Sequence, residues 1–202
     1  MFASSASDLF PHPSRSGPGA LGAPSRALVF LTGRAALLRP EPPVRVHMLT
    51  SPAAVARSAD FLLACGASPS ATADPETVAG FVEATGALLV NLGMLEPVRE
   101  AAIGHAVAAA RRLARPWVLD PVKIGLSAHR RELARRLLGA APAVLKLNRA
   151  ELAALADGED GDAVVRLARR HGCVVAVTGP VDLVSDGRRL VEIGRASCRE
   201  RV

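Results

Sequence analysis

The sequence predicts an α/β fold with a mostly parallel central sheet, and two observations carry that prediction. The hydrophobic period switches repeatedly between helical and strand-like, the pattern that βαβ units leave in a chain. The strand-like runs GALLV, WVL, AVLKL and CVVAV are short and largely apolar, and each is followed directly by a polar residue.

The elements follow in order. A helix is expected from Pro52, a good first-turn residue, through Ala53, Val55, Ala56, Ala59 and Leu62, ending at Gly66 where a left-handed cap is cheap. Residues 86–91 read as a short buried strand. Residues 96–113 read as a helix with acids in its first turn and Arg111 and Arg112 in its last, matching the helix dipole at both ends. A strand at 117–121 closes on Pro121, which a central ladder would not accept. Helices at 128–138, 149–156 and 162–171 alternate with strands at 143–147 and 173–178. Residues 182–185 and 189–193 form a hairpin turned at Asp186 and Gly187.

Length and composition narrow the function classes. The chain has 202 residues, half of them apolar, enough for one sizeable core. Its apolar runs fall far short of the roughly 20 residues a membrane helix needs, so no membrane span is expected. The net charge of +6 gathers at the ends. Residues 1–46 carry five arginines against Asp8 and Glu41, and residues 195–202 carry three against Glu200, leaving 17 basic and 16 acidic residues between. With one Trp, no Tyr and five Phe, stacking platforms are scarce and nucleic-acid binding is not expected. Cys65, Cys173 and Cys198 are odd in number and lack metal-ligand spacing, which fits a reducing cytoplasm.

Three regions are expected. Residues 1–26, rich in Ser, Pro, Gly and Ala, read as a disordered leader, either a transit-like segment or translation from a start codon set too far upstream. Residues 27–193 form the domain. Residues 194–202 read as a tail, because the peptide IGRASCRERV at 193–202 looks like a translated sequencing adapter, so Cys198 is given no chemistry.

In open parallel sheets, ligands bind beyond the carboxyl ends of the strands. Asn91, Asp120, Asn148 and Thr178 all stand there. One such residue is as well read as a turn former or helix cap; four in register point to a site. Asp120 and Glu151 are the acids that would supply oxygen ligands to a magnesium ion bridging nucleotide phosphates. From the residues alone capping is the favoured account of either, Asp120 on the following turn and Glu151 on the helix after Asn148. A dinucleotide-dependent oxidoreductase is disfavoured, since no G-x-G-x-x-G follows a first strand. A lone His47 reads as a structural hydrogen-bonding residue, the acidic loop 157–162 (DGEDGD) as solvated, and Trp117 as packed against the sheet.

Six blocks, VHMLTS (46–51), LLACGASPS (62–70), GALLVNLG (86–93), PWVLDPV (116–122), LKLNRAEL (145–152) and VAVTGPVD (175–182), resemble in order and spacing the hydroxyethylthiazole kinase family. The resemblance covers about residues 28–193. It implies a ribokinase-like three-layer α/β/α fold, incomplete at its carboxyl end, and a homotrimer. It also implies ATP- and magnesium-dependent phosphorylation of 4-methyl-5-(2-hydroxyethyl)thiazole in thiamine salvage. By the same resemblance Lys146 and Thr178 face ATP, Lys146 replacing the family's usual arginine, and Asp120 and Glu151 face magnesium and phosphates. Ser51, Gly66, Pro69 and Ala71 face the thiazole, with Ala71 where the family usually has methionine. Lys123 and Ile124 replace the small residues usual after Asp-Pro-Val. The Gly-rich segment that the family uses to hold the migrating phosphoryl group, beside its base, has no counterpart after Thr178, so no catalytic residue is assigned. A poorly soluble, inactive fragment is expected. A non-catalytic shortened paralogue or binding protein, and a kinase of another small alcohol, are the other readings.

Overall fold

A strand outside that reading opens the fold: β1, Arg45–Leu49, is the second strand of an eight-stranded sheet. The structure, a computed structural model, describes residues 43–194. The leader at 1–26 and residues 195–202 with Cys198 lie outside the described residues; Ile193 and Gly194, where the sequence places the start of a tail, instead end the last strand.

After β1 come α1 (Pro52–Ala64), β2 (Ser68–Ala71), α2 (Val78–Glu83), β3 (Ala87–Asn91), α3 (Pro97–Arg112) and β4 (Trp117–Asp120). A 3-10 turn at Ile124–Leu126 leads to α4 (Ala128–Leu138), then β5 (Val144–Asn148), α5 (Arg149–Leu155), α6 (Gly161–His171), β6 (Val174–Thr178), β7 (Val181–Ser185) and β8 (Leu190–Gly194). The sheet order is β2-β1-β3-β4-β5-β6-β7-β8, parallel through β6 and antiparallel beyond it. Order reverses between β1 and β3, so connections leave those two strands in opposite directions. The right-handed crossover rule then sets α1 on one face and the helices stepping toward β6 on the other, giving three layers.

Strand alternation divides the sheet chemically. Leu88, Val90, Trp117, Leu119, Leu145, Leu147, Val175 and Val177 share one face and form the core with α2 to α6. Leu89, Val118, Val144 and Ala176 share the other face and remain half-buried. Asn91, Asp120, Lys146, Asn148 and Thr178 fall on that same second face. α1 has no buried residue.

Local chemistry sets the ends of the elements. α1 stops in a Schellman motif, with the Ala67 N–H donating to the Leu62 carbonyl, that of Gly66 to Leu63, and Gly66 at φ 76°. In the β7–β8 turn, Asp186 Oδ1 accepts the Arg188 and Arg189 amides, and Gly187 at φ 85° lies so close to α6 that a Cβ would stand 2.8 Å from the Arg169 nitrogen.

His47 is a structural residue, as its sequence context implies. It is fully buried, its Nδ1 lies 2.9 Å from Ser70 Oγ, its ring stacks on Phe81, and its Nε2 has no partner. Burial holds its pKa below the usual 6.5, against a smaller opposing effect of the Thr72 backbone. Below pH 6.5 the unfolded chain therefore takes a proton that the folded chain resists, and stability falls as pH drops through that window. The thermal midpoint is expected to fall from roughly pH 7 to 5, and His47→Gln to flatten that slope. Parallel wild-type and variant curves would refute it.

Candidate functional site

The polar residues at the strand ends form a row, in a register that corrects the sequence reading. Asn91 is level with Asp120, and Asn148 with Thr178. β4 and β5, however, align Leu119 with Leu145, so the next step of the ladder brings Lys146 rather than Asn148 beside Asp120. Asp120 Oδ2 accepts 2.9 Å from Asn91 Nδ2, and its Oδ1 faces Lys146 Nζ at 3.5 Å. Burial raises the Asp120 pKa above the usual carboxyl value, an effect opposed by Lys146 and Asn91 and reinforced by the charge of Glu151. Asp120 thus caps nothing in the next turn and is a partly desolvated carboxylate held between an amide and an ammonium.

Glu151 sits behind it and is 3% exposed. Its Oε1 accepts the Lys123 N–H at 2.9 Å and its Oε2 the Asn148 N–H at 2.8 Å, while Asn148 Oδ1 accepts the Glu151 N–H at 2.9 Å. This is a capping box on α5 extended to a second loop. The second bond fixes Lys123 in the left-handed region, φ 57°, where a glycine would sit without strain. Thr178 donates its hydroxyl to the Leu147 carbonyl at 3.2 Å. Among the described residues no cluster of three or more His, Cys, Asp or Glu side chains could hold a metal by itself. Asp120 alone still fits magnesium, which keeps several waters and takes one or two carboxylates when phosphates complete its shell.

A cleft of about 440 Å³ opens where the strand order reverses, beyond β1, β2 and β3. Met48, Val55, Ala71, Met94 and Val98 make it mainly apolar, and Thr50, Glu96 and Arg99 give it polar edges. Of the four residues assigned to the substrate, Ala71 lines this cleft, and Ser51 is buried between the lining residues Thr50 and Pro52. Gly66 and Pro69 are outside its lining, Gly66 in the α1 cap and Pro69 level with Val46 in the β2–β1 ladder.

Gly93 joins cleft and row. Its N–H donates to Asn91 Oδ1 at 2.9 Å, and an added Cβ would meet that same oxygen at 2.9 Å with Val122 and Ser51 next. The loops after β1, β3 and β4 therefore meet around Gly93, where a Cβ would have to displace the Asn91 amide. Sequence reading did not single out Gly93 or Arg99. A signal for Arg99 existed: it lies on the helix face that buries Ala102, Ile103 and Ala106, where a cation is out of place.

A polar row at strand ends beside a switch-point cleft belongs to the ribokinase-like class of folds. Pyridoxal kinase from Staphylococcus aureus shares that fold with a TM-score of 0.59 at 16% identity, over 74% of this chain and 71% of its own. The chain belongs to the hydroxyethylthiazole kinase family, whose model matches residues 36–197. It is 42% identical over 182 residues to the hydroxyethylthiazole kinase of Granulibacter bethesdensis, covering 83% of this chain and 65% of that one. It is 41% identical over 162 residues to that of Pectobacterium carotovorum, covering 73% and 61%. The hydroxyethylthiazole kinase structure from Pyrococcus horikoshii superposes with a TM-score of 0.75 at 32% identity, over 80% of this chain and 65% of that chain. The chain thus spans less than two thirds of the length of the first two relatives. No helix among the described residues is long and apolar enough to cross a membrane.

Proposed function

We propose that this chain carries the substrate cleft and part of the nucleotide site of a hydroxyethylthiazole kinase, the ATP-dependent phosphorylation of 4-methyl-5-(2-hydroxyethyl)thiazole. The observation behind the reading is the pairing, in a member of this family, of a small apolar cleft with an adjoining carboxylate and ammonium. The cleft volume suits a small ring. Its apolar side chains exclude water from a bound ring, and its polar edge leaves room for a hydroxyl. Lys146 would meet nucleotide phosphate as a point charge, without the bidentate geometry of an arginine, and Thr178 lies on the same face two residues further along. Asp120 would hold magnesium, which would supply positive charge against the nucleotide phosphates. Glu151 would act behind it through its charge and through the Lys123 loop.

A kinase of a different small alcohol is the second reading, favoured by Ala71, which leaves the cleft wall short of the bulk a methionine would supply. Titration of the chain with the thiazole alcohol and with pyridoxal separates the two. Saturable binding of the thiazole alcohol, about tenfold or more tighter than pyridoxal, is expected. Tighter pyridoxal binding would favour the second reading, and no binding of the thiazole alcohol would reject the first.

A homotrimer and a cytoplasmic setting belong to the same proposal. Phe61 and Leu63 on α1 are 69% and 59% exposed, and Met94 and Val98 stand exposed at the cleft, an apolar surface that a second copy could cover. Sedimentation of the titrated sample reads that assembly. The free thiols of Cys65 and Cys173 suit a reducing compartment.

A further inference from the structure

The β1–β3 ladder ends at Leu49 and Val90, and no ladder pair ties the two segments beyond it. Arg99, in the first turn of α3, ties them instead. Its Nη1 donates to the Thr50 carbonyl at 2.9 Å and its Nη2 to the Gly93 carbonyl. Thr50 directly follows β1, and Gly93 lies two residues beyond β3. One planar guanidinium therefore bridges the loops on the two sides of the switch point. The neighbours of the bonded carbonyls, Leu49 on one side and Met94 on the other, are walls of the cleft, and Arg99 itself lines it.

Stability alone does not account for this residue. Arg99 is 5% exposed, its Nε has no partner, and no carboxylate of the described residues pairs with it. A buried cation whose hydrogen bonds go only to carbonyls, with the charge of Glu96 nearby offsetting part of its burial and that of Arg130 adding to it, carries a desolvation cost that an apolar side chain of similar volume would avoid. The arginine fork does what an apolar residue cannot: it holds two carbonyls at a fixed separation.

We propose that Arg99 is a positioning residue that sets the separation of the β1 and β3 loops, and with it the width of the cleft and its affinity for a small ring-bearing alcohol. The first part stands on geometry alone; the affinity rests on the reading of the cleft as the substrate site. The test compares Arg99→Met and Arg99→Lys with the wild type by hydrogen exchange, with no ligand, and then by titration with 4-methyl-5-(2-hydroxyethyl)thiazole. Arg99→Met is expected to raise exchange about tenfold in segments 50–55 and 92–96 while segments 144–148 and 174–178 keep wild-type protection. Arg99→Lys, with one ammonium in place of a fork, should loosen the same two segments to a lesser degree, and it decides the matter if the methionine variant does not fold. Unchanged exchange, or equal acceleration across the whole sheet, overturns the proposal. In the titration Kd should rise about tenfold for Arg99→Met and less for Arg99→Lys. A wild type that binds no thiazole alcohol refutes the substrate reading, whereas the exchange pattern still decides the role of Arg99. Wild-type affinity in a variant with loosened loops overturns the link to binding.

Discussion

Glu151→Ala is expected to destabilise the fold by about 3 kcal/mol, because it strands two backbone amides whose loss costs roughly 1–3 kcal/mol each when no partner replaces the carboxylate. The carboxylate is buried and divided between two segments, the Lys123 N–H on Oε1 and the Asn148 N–H on Oε2. Water cannot easily take its place. Lys123 also loses the bond that holds it in the left-handed region, which costs a non-glycine residue about 1–2 kcal/mol. Glu151→Gln keeps the shape and one acceptor but points an NH₂ at an N–H, so it should fall between wild type and alanine. Glu132, exposed and 3.9 Å from Arg135, serves as control, with less than about 0.5 kcal/mol expected on replacement by alanine. Urea unfolding reads the differences, and a Glu151→Ala midpoint equal to that of the control would show that the capping account is wrong.

How much of this was legible in the chain depends on where each element draws its stability. β4, β5, β6 and α6 carry strong apolar patterns and α3 carries charges that match its dipole at both ends, and their observed bounds fall within a residue or two of the expected ones. β1, β2 and α2 do not appear in the sequence reading, each for a physical reason. β2 is SPSA, four small or polar residues with a proline, tolerated because it lies at the sheet edge and pairs with β1 alone. α2 is six residues with Gly80 inside, too short to show a period and stabilised by burying Val78 and Val82. β1 places His47 in its apolar run, and its partners there, the Ser70 hydroxyl, the Phe81 ring and the Thr72 backbone, are all distant in sequence.

The site was legible as a set of strand ends but not as a set of contacts. Alternation and the polar residue after each strand located Asn91, Asp120, Asn148 and Thr178. The stagger between β4 and β5 comes from packing, so the meeting of Asp120 with Lys146 was not readable. Glu151 was readable in both of its roles, and its hydrogen bonds in the structure are those of the capping one. The cleft depends on loops from β1, β2 and β3, two of which were not recognised as strands at all.

Asp120→Asn is expected to separate binding from stability. Burial raises the Asp120 pKa, so between the usual 3.8 and its raised value the folded chain holds a proton that the unfolded chain has lost. Stability contributed by this group is therefore lost as pH rises through that window, and at neutral pH the ionised carboxylate is a cost to the fold that Lys146 and Asn91 only partly offset. Asparagine removes the charge while keeping an acceptor for Asn91 Nδ2, so the thermal midpoint should stay level or rise. Magnesium-nucleotide binding should move the other way, since the row would lose the carboxylate that best fits the ion. A drop of about 100-fold in affinity for magnesium-ATP is expected, at the upper end of what altered metal surroundings cost. Lys146→Met should also weaken nucleotide binding, but it leaves Asp120 without its cation and so should lower the midpoint. Calorimetric titration with magnesium-ATP and a melt of each variant test this together. An Asp120→Asn chain that binds magnesium-ATP like the wild type would remove Asp120 from the nucleotide site. One that loses binding and stability together would make it a structural residue instead.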